Sequence, residues 1–272
     1  VPKARPPGGL MSEKRIGVAG PFDMTGHIAW VTGSASGIGK ETARLMAQMG
    51  ADVALHGLNQ SAETEKLQHE IHALGRRAIA LDGDLTQAAV VASLVQRIKD
   101  ELGGLSVLVN CAGGSPIKSP IADMAEEDWD HVLDKNLKSV FLTTRAALPL
   151  LRQASRACIV NVSSCVTRTG GVPGGTAYAT AKGGIEVFTR SMARELASEG
   201  IRVNAVSPGL VDSPFHSTDA KEKYPHLITR IPLGRIGAPQ DLAGPILFLA
   251  SDAAAYVTGE TVEVSGGTRL VS

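Results

Sequence analysis

From His27 onward the chain alternates short β-branched or apolar runs with longer stretches of helical period, and this alternation restricts the fold more than any other feature. Runs at 28–32, 52–56, 78–82, 107–110, 158–162, 202–206 and 261–264 have strand composition. Helical stretches lie between them, near 38–49, 62–74, 87–102, 127–152, 177–199 and 239–250. That order produces parallel strands joined by crossover helices. Runs such as Leu105-Ser106-Val107-Leu108-Val109 are almost continuously apolar, which suits a sheet covered on both faces. The expected fold is α/β, a doubly wound, seven-stranded parallel sheet forming a single domain over 27–272. A chain of 272 residues is long enough to bury such a core.

Residues 1–26 are rich in Pro and Gly and show no sustained periodicity, so they read as an N-terminal extension. Residues 1–10 fit either an expression remnant ahead of a start at Met11 or a natural arm. The irregular stretch from 209 to about 237 leaves the carboxyl end of the sixth strand, the edge at which open α/β sheets bind ligands, and is expected to act as a lid. Lys+Arg 27 balances Asp+Glu 27, which argues against nucleic-acid or membrane partners and for a small substrate. No apolar run approaches the roughly 18 residues of a membrane span. Cys111, Cys158 and Cys165 are odd in number and lie in apolar or small-residue runs, which points to a reducing compartment, the cytoplasm, rather than a disulfide framework. His69 and His72 are three apart, not the four of a zinc-binding helix, so no metal site is expected and both read as surface residues.

Thr32-Gly33-Ser34-Ala35-Ser36-Gly37-Ile38-Gly39 follows the first strand and opens the first helix, the setting a glycine-rich nucleotide loop requires. Glycines there let the backbone turn tightly and approach a pyrophosphate, with the free N–H groups of the helix N-terminus aimed at the phosphates. Tyr178 and Lys182 stand four residues apart, the spacing that stacks two side chains on one helix face. A phenol titrates near 10, and a neighbouring ammonium lowers that value by favouring the ionised form.

The Gly-x-x-x-Gly-x-Gly loop with its preceding Thr, taken with Tyr178-Ala-Thr-Ala-Lys182, resembles the short-chain dehydrogenase/reductase family. The resemblance extends from His27 to Gly267. It implies a Rossmann-type fold, a nicotinamide dinucleotide and hydride transfer between a secondary alcohol and a ketone. It places Gly33, Ser34, Ser36, Gly37, Ile38 and Gly39 around the pyrophosphate, and Asp84-Leu85 against the adenine. Asn110, Ala112 and Gly113 correspond to an Asn-Asn-Ala-Gly element in which Cys111 replaces the second Asn. Pro208, Gly209, Val211 and Ser213 correspond to the nicotinamide-side segment. Leu58 and Asn59, at the end of the second strand, provide neither the carboxylate that suits NAD nor the basic residue that suits NADP. NAD is preferred over NADP, because a 2′-phosphate beside Leu58 would go unpaired unless His56 or Lys40 reached it.

The same resemblance makes Tyr178 the general acid/base and Lys182 its activator and a ribose contact. It makes Ser164 the group that orients the substrate oxygen and Asn136 the support of a water-mediated proton relay. Ser164 stands fourteen residues before Tyr178, one more than the common pattern, and Cys165 occupies the commoner spacing. Ser164 is kept, because the glycine-rich stretch 168–175 can absorb a residue and a neutral thiol is a weak donor. Cys165, Arg168, Phe215 and His216, with Pro214, Tyr224 and His226, are expected to face the substrate. This mixed pocket suits an alcohol or carbonyl compound such as a sugar, polyol or hydroxy acid. A 3-oxoacyl-thioester reductase using NADPH is the alternative, and a non-catalytic dinucleotide sensor or scaffold is the alternative from another class. The resemblance also implies a homotetramer built on the long helices 127–152 and 177–199 and on the C-terminal strand.

Overall fold

A computed structural model of the chain describes residues 20–213 and 228–268. Its strands are β1 (Ile28–Val31), β2 (Asp52–Gly57), β3 (Ala78–Asp82), β4 (Val107–Asn110), β5 (Ala157–Val162), β6 (Ile201–Pro208) and β7 (Thr261–Val264). All pair in parallel, in the order β3-β2-β1-β4-β5-β6-β7. The helices are α1 (Gly37–Gln48), α2 (Ser61–Ala73), α3 (Ala88–Leu102), α4 (Glu126–Leu133), α5 (Ser139–Leu151), the single turn α6 (Val166–Thr169), α7 (Thr176–Leu196) and α8 (Pro239–Ala250). The expected doubly wound sheet is present.

Apolar strands bury both faces because successive side chains point to opposite sides. Ala29 and Val31 of β1, Val107 and Val109 of β4, and Cys158 and Val160 of β5 enter one core layer with α1, α2 and α8. Their alternates Trp30, Leu108 and Ile159 enter the other, against α3, α5 and α7. The strand order reverses between β1 and β4, so the chain leaves these neighbouring strand ends in opposite directions and opens a crevice between them. Thr32 closes the base of that crevice, its hydroxyl oxygen accepting the backbone N–H groups of Cys111 (2.9 Å) and Ala112 (3.0 Å).

In three places the structure departs from expectation or adds to it. Residues 20–26 are not a free extension: Met24 is fully buried, its N–H donates to Met49 O at 2.8 Å, and Pro21 O accepts from Ala253. The helix expected over 127–152 is interrupted by a π-helical turn, Asp134–Lys138. The cause is Asn136, whose amide donates to Val132 O at 2.9 Å and so takes the carbonyl that its own backbone N–H would use in an α-helix. Finally, the segment 209–237 is tied at both ends, where Val211 bridges Gly237, Gly237 N donates to Leu210 O (3.0 Å) and Asp212 N to Gly237 O (2.8 Å). Residues 214–227, which carry the expected substrate contacts Pro214, Phe215, His216, Tyr224 and His226, lie outside the described residues. Among the described residues no helix is long and apolar enough to cross a membrane, and no cluster of His, Cys, Asp and Glu has the makings of a metal site.

Candidate active site

A cleft of about 1080 Å³ runs along the carboxyl ends of the strands. The glycine loop enters it with Gly33, Ser36, Gly37, Ile38 and Gly39. Two of these glycines are required by space. A Cβ on Gly39 would lie 2.3 Å from Gly33 O, and one on Gly33, whose φ is +67°, would lie 2.9 Å from Ala112 Cα. Ser36 caps α1 in an extended conformation without a side-chain cap bond, and the first turn carries no acidic residue. The first-turn N–H groups are therefore not capped by a side chain, and they lie in a glycine-walled cradle that fits a pyrophosphate.

Leu58, Asp84, Leu85, Ala112, Gly113, Pro208, Gly209, Val211 and Ser213 line the same cleft, together with Ser164, Cys165, Arg168, Tyr178 and Lys182. Ser34, Asn59, Asn110 and Asn136 do not line it, and the contacts they make explain why. Ser34 is buried and its Oγ accepts the His56 N–H at 2.8 Å, locking the glycine loop to β2. Asn59 donates its N–H to Asp82 Oδ1 at 3.1 Å. Asn110 donates to Asn161 Oδ1 (2.9 Å) and accepts from Thr143 Oγ1 (2.7 Å), joining β4, β5 and α5. Asn136 holds Gly114 through both amide atoms, donating to its carbonyl at 2.7 Å and accepting its N–H at 3.0 Å. Asn136 thus supports the cleft wall from behind.

His56 and Lys40, the cations that were to rescue a 2′-phosphate, are otherwise engaged. Burial lowers the His56 pKa, with the Gly83 hydrogen bond acting the other way. Its Nδ1 accepts from Gly33 N at 3.2 Å and its Nε2 stands 2.9 Å from Gly83 O, a pattern that suits the neutral ring with the proton on Nε2. Lys40 faces Glu63 at 3.9 Å and does not line the cleft.

At the chemical end, α7 presents Tyr178 and Lys182 on one face, with Lys182 Nζ 5.7 Å from the Tyr178 ring centroid. Lys182 is 4% exposed and donates to Val162 O at 2.9 Å, where β5 ends. Burial lowers its pKa to about 8, partly opposed by Cys111. Burial also raises the Tyr178 pKa above its ordinary value, opposed by its hydrogen bond with Ser164. The sequence suggested that the lysine charge would dominate and favour the phenolate. Desolvation of the phenol sets the direction instead, because loss of water penalises its charged form. The protonated phenol is consequently the resting form.

The longer Ser164-to-Tyr178 connection is absorbed in α6 and in Gly170, Gly171 and Gly174, whose φ values are +76°, +78° and +79°. Ser164 keeps its hydrogen bond to Tyr178, so the serine identified from the motif is the one brought to the phenol. The sequence did not reveal what holds it there. Glu186, buried on α7 one turn past Lys182, accepts from Ser163 Oγ (3.1 Å) and Thr167 Oγ1 (2.7 Å), residues on either side of Ser164. The four-residue step from Lys182 to Glu186 was a readable helical signal, but the hydroxyls it meets come from a different segment. The cleft wall also includes Lys118, Lys135 and Arg230, which sequence reasoning passed over.

Comparison with known proteins agrees with this geometry. A family profile described as enoyl-(acyl carrier protein) reductase matches residues 33–269. The 3-oxoacyl-(acyl-carrier-protein) reductase FabG of Staphylococcus aureus is 40% identical over 240 residues, 88% of this chain and 96% of that protein. Its counterpart in Thermotoga maritima is 38% identical over 244 residues, 90% of this chain and 98% of that protein. Among solved structures, a short-chain type dehydrogenase/reductase from Mycobacterium marinum is 34% identical with a TM-score of 0.85, covering 91% of this chain and 97% of that one. A dehydrogenase/reductase from Sinorhizobium meliloti 1021 is 31% identical with a TM-score of 0.87, again over 91% and 97%.

Proposed function

The chain belongs to the short-chain dehydrogenase/reductase family, and we propose that, as a nicotinamide-dependent oxidoreductase, it interconverts a 3-oxoacyl thioester and its 3-hydroxyacyl form. The observation that carries this reading over a sugar or polyol substrate is the make-up of the cleft wall. Val166, Val172, Leu210 and Ile231 offer an apolar surface for an acyl chain, and Lys118, Lys135, Arg168 and Arg230 add cations that suit a phosphate-bearing thioester carrier. The polar side chains that favoured a polyol, His216 and Tyr224 among them, lie outside the described residues. The names of the relatives at 38–40% identity point the same way.

When bound, the dinucleotide supplies or accepts the hydride at the carbinol carbon. The chain's own residues handle the proton. In the reducing direction Ser164 donates to the substrate oxygen as negative charge builds there, and Tyr178 releases its Oη proton to that oxygen as the alcohol forms. Lys182, titrating near 8 against a phenol raised above its ordinary value, returns a proton to the Tyr178 phenolate downhill. Asn136 holds the π-helical turn and Gly114 in place for that relay. Intact Ser164, Tyr178 and Lys182 in one cleft speak against a sensor or scaffold without catalysis.

NAD(H) is the preferred dinucleotide, supported by the neutral His56 and the Lys40–Glu63 pairing. A homotetramer in the cytoplasm completes the proposal. An apolar groove on the surface formed by Leu133, Leu137, Phe141, Val187 and Phe188 from α4, α5 and α7 and the turn between them is suited to cover by a second copy. The test is an initial-rate comparison of acetoacetyl and longer 3-oxoacyl thioesters with simple ketoses and polyols, each with NADH and NADPH or their oxidised forms. Thioesters should give the highest kcat/KM. Turnover confined to polyols would overturn the substrate assignment.

A further inference from the structure

The turn between β2 and α2 shows how the cleft would choose its dinucleotide. β2 and β3 end side by side, with Gly57 and Asp82 as register partners. From that position the Asp82 carboxylate reaches under the turn. Oδ1 accepts the Asn59 N–H at 3.1 Å, Oδ2 accepts the Ser61 hydroxyl at 2.9 Å, and the Gln60 backbone N–H adds a third bond. These donors lie where α2 begins, and Gln60 at its N-cap makes no side-chain cap bond there. Asn59 is the one non-glycine with left-handed φ among the described residues, at +54°, so the turn has an uncommon shape that Asp82 holds. Its neighbours Gly57, Leu58 and Gln60, and Gly83 on the other strand, all line the cleft.

We propose that Asp82 is a specificity-determining residue that makes this cleft select a dinucleotide lacking a 2′-phosphate, because its carboxylate already occupies the anion-binding turn between β2 and α2. A strand-end turn followed by a helix N-terminus is a natural place for a phosphate, since N–H groups converge there. Here those donors are committed to the exposed carboxylate of Asp82, which sits behind the turn and does not itself line the cleft. An incoming phosphate would have to displace it or sit beside a like charge, and of the cations weighed for that role His56 is neutral and Lys40 faces Glu63. A ribose hydroxyl carries no such penalty and is able to donate to a carboxylate. Asp82 is exposed, and although desolvation works against its ionisation, its bonds from Asn59, Ser61 and Gln60 hold its pKa below the usual carboxylate value, so the charge is present at neutral pH. The device differs from the usual one, in which the acid stands at the end of the second strand itself. In this chain that position is Gly57, and the carboxylate comes from the adjacent strand.

The inference rests on the NAD(H) reading above, and the experiment separates the two. Calorimetric titration of the purified full chain with 5′-AMP and with adenosine 2′,5′-bisphosphate reads the site without catalysis. Wild type should bind the bisphosphate roughly tenfold or more weakly than 5′-AMP. Asp82→Asn keeps the shape and an acceptor for Asn59 while removing the charge, and should tighten the bisphosphate by roughly five- to tenfold with 5′-AMP within about twofold. Asp82→Ser serves as a second variant of the same sense should the first fold poorly, with thermal unfolding as the check on both. If the folded variants keep the wild-type ratio, the role of Asp82 is overturned while the NAD(H) reading stands. If wild type itself binds the bisphosphate as tightly as 5′-AMP, the NAD(H) reading falls and the role of Asp82 falls with it.

Discussion

Replacing Lys182 by Met should change how stability depends on pH, by an amount that follows from the burial of the ammonium. In the folded protein Lys182 titrates near 8, because desolvation lowers it from 10.5. Between those values the unfolded chain holds the proton and the folded chain has released it, so unfolding takes up a proton. Stability then rises with pH, by about 1.4 kcal/mol per unit for one proton. From pH 8 to 9.5 the contribution of Lys182 should grow by roughly 2 kcal/mol. Buried Cys111 and Tyr178 also titrate at alkaline pH, both raised by burial, and their contribution has the opposite sign. They are present in the variant as well, so the difference between wild type and Lys182→Met reports the lysine together with its coupling to Cys111. Urea unfolding at half-unit steps from pH 7 to 9.5, followed by circular dichroism, measures it. The wild-type curve should climb relative to the variant only above about pH 8. Parallel curves would show that Lys182 keeps an ordinary pKa and that burial does not set its protonation.

Tyr178→Phe removes the transferable proton and should lower turnover by roughly 10²-fold or more while dinucleotide affinity stays within about threefold; a variant with normal turnover would remove Tyr178 from the chemistry. Glu186→Ala loses the acceptor shared by Ser163 and Thr167 and should reduce kcat roughly tenfold with little change in dinucleotide affinity, whereas Glu186→Gln, which keeps a carbonyl oxygen, should recover most of it. Equal losses in both variants would point to the charge rather than the bracing. Gly39→Ala places a methyl 2.3 Å from Gly33 O and should weaken 5′-AMP and dinucleotide binding at least roughly tenfold in calorimetry; unchanged affinity would argue against the glycine loop as the phosphate cradle.

Much of the architecture was readable because it is written in short-range periods. Near-continuous apolar runs separated by helical stretches specify strands covered on both faces, and Trp30 pointing opposite to Ala29 and Val31 is that pattern realised. The glycine loop and the Tyr178–Lys182 step were legible for the same reason, since their meaning depends on neighbours within a turn or two. Ser164, chosen over Cys165 from the motif, is hydrogen-bonded to Tyr178, with the extra residue taken up locally in a glycine-rich loop.

What remained hidden was set by segments far apart in the chain. The support that Asn136 gives the cleft wall runs to Gly114, twenty-two residues away, and the neutral state of His56 depends on Gly33 and Gly83. The acid that closes the β2–α2 turn comes from β3, and the bracing of Ser164 comes from α7. Sequence alone therefore determined the sheet, its coverings and the residue types that meet at its carboxyl edge. Only the tertiary structure decided their charge states and supports, because desolvation and hydrogen-bond partnership sum over atoms that folding, not chain order, brings together.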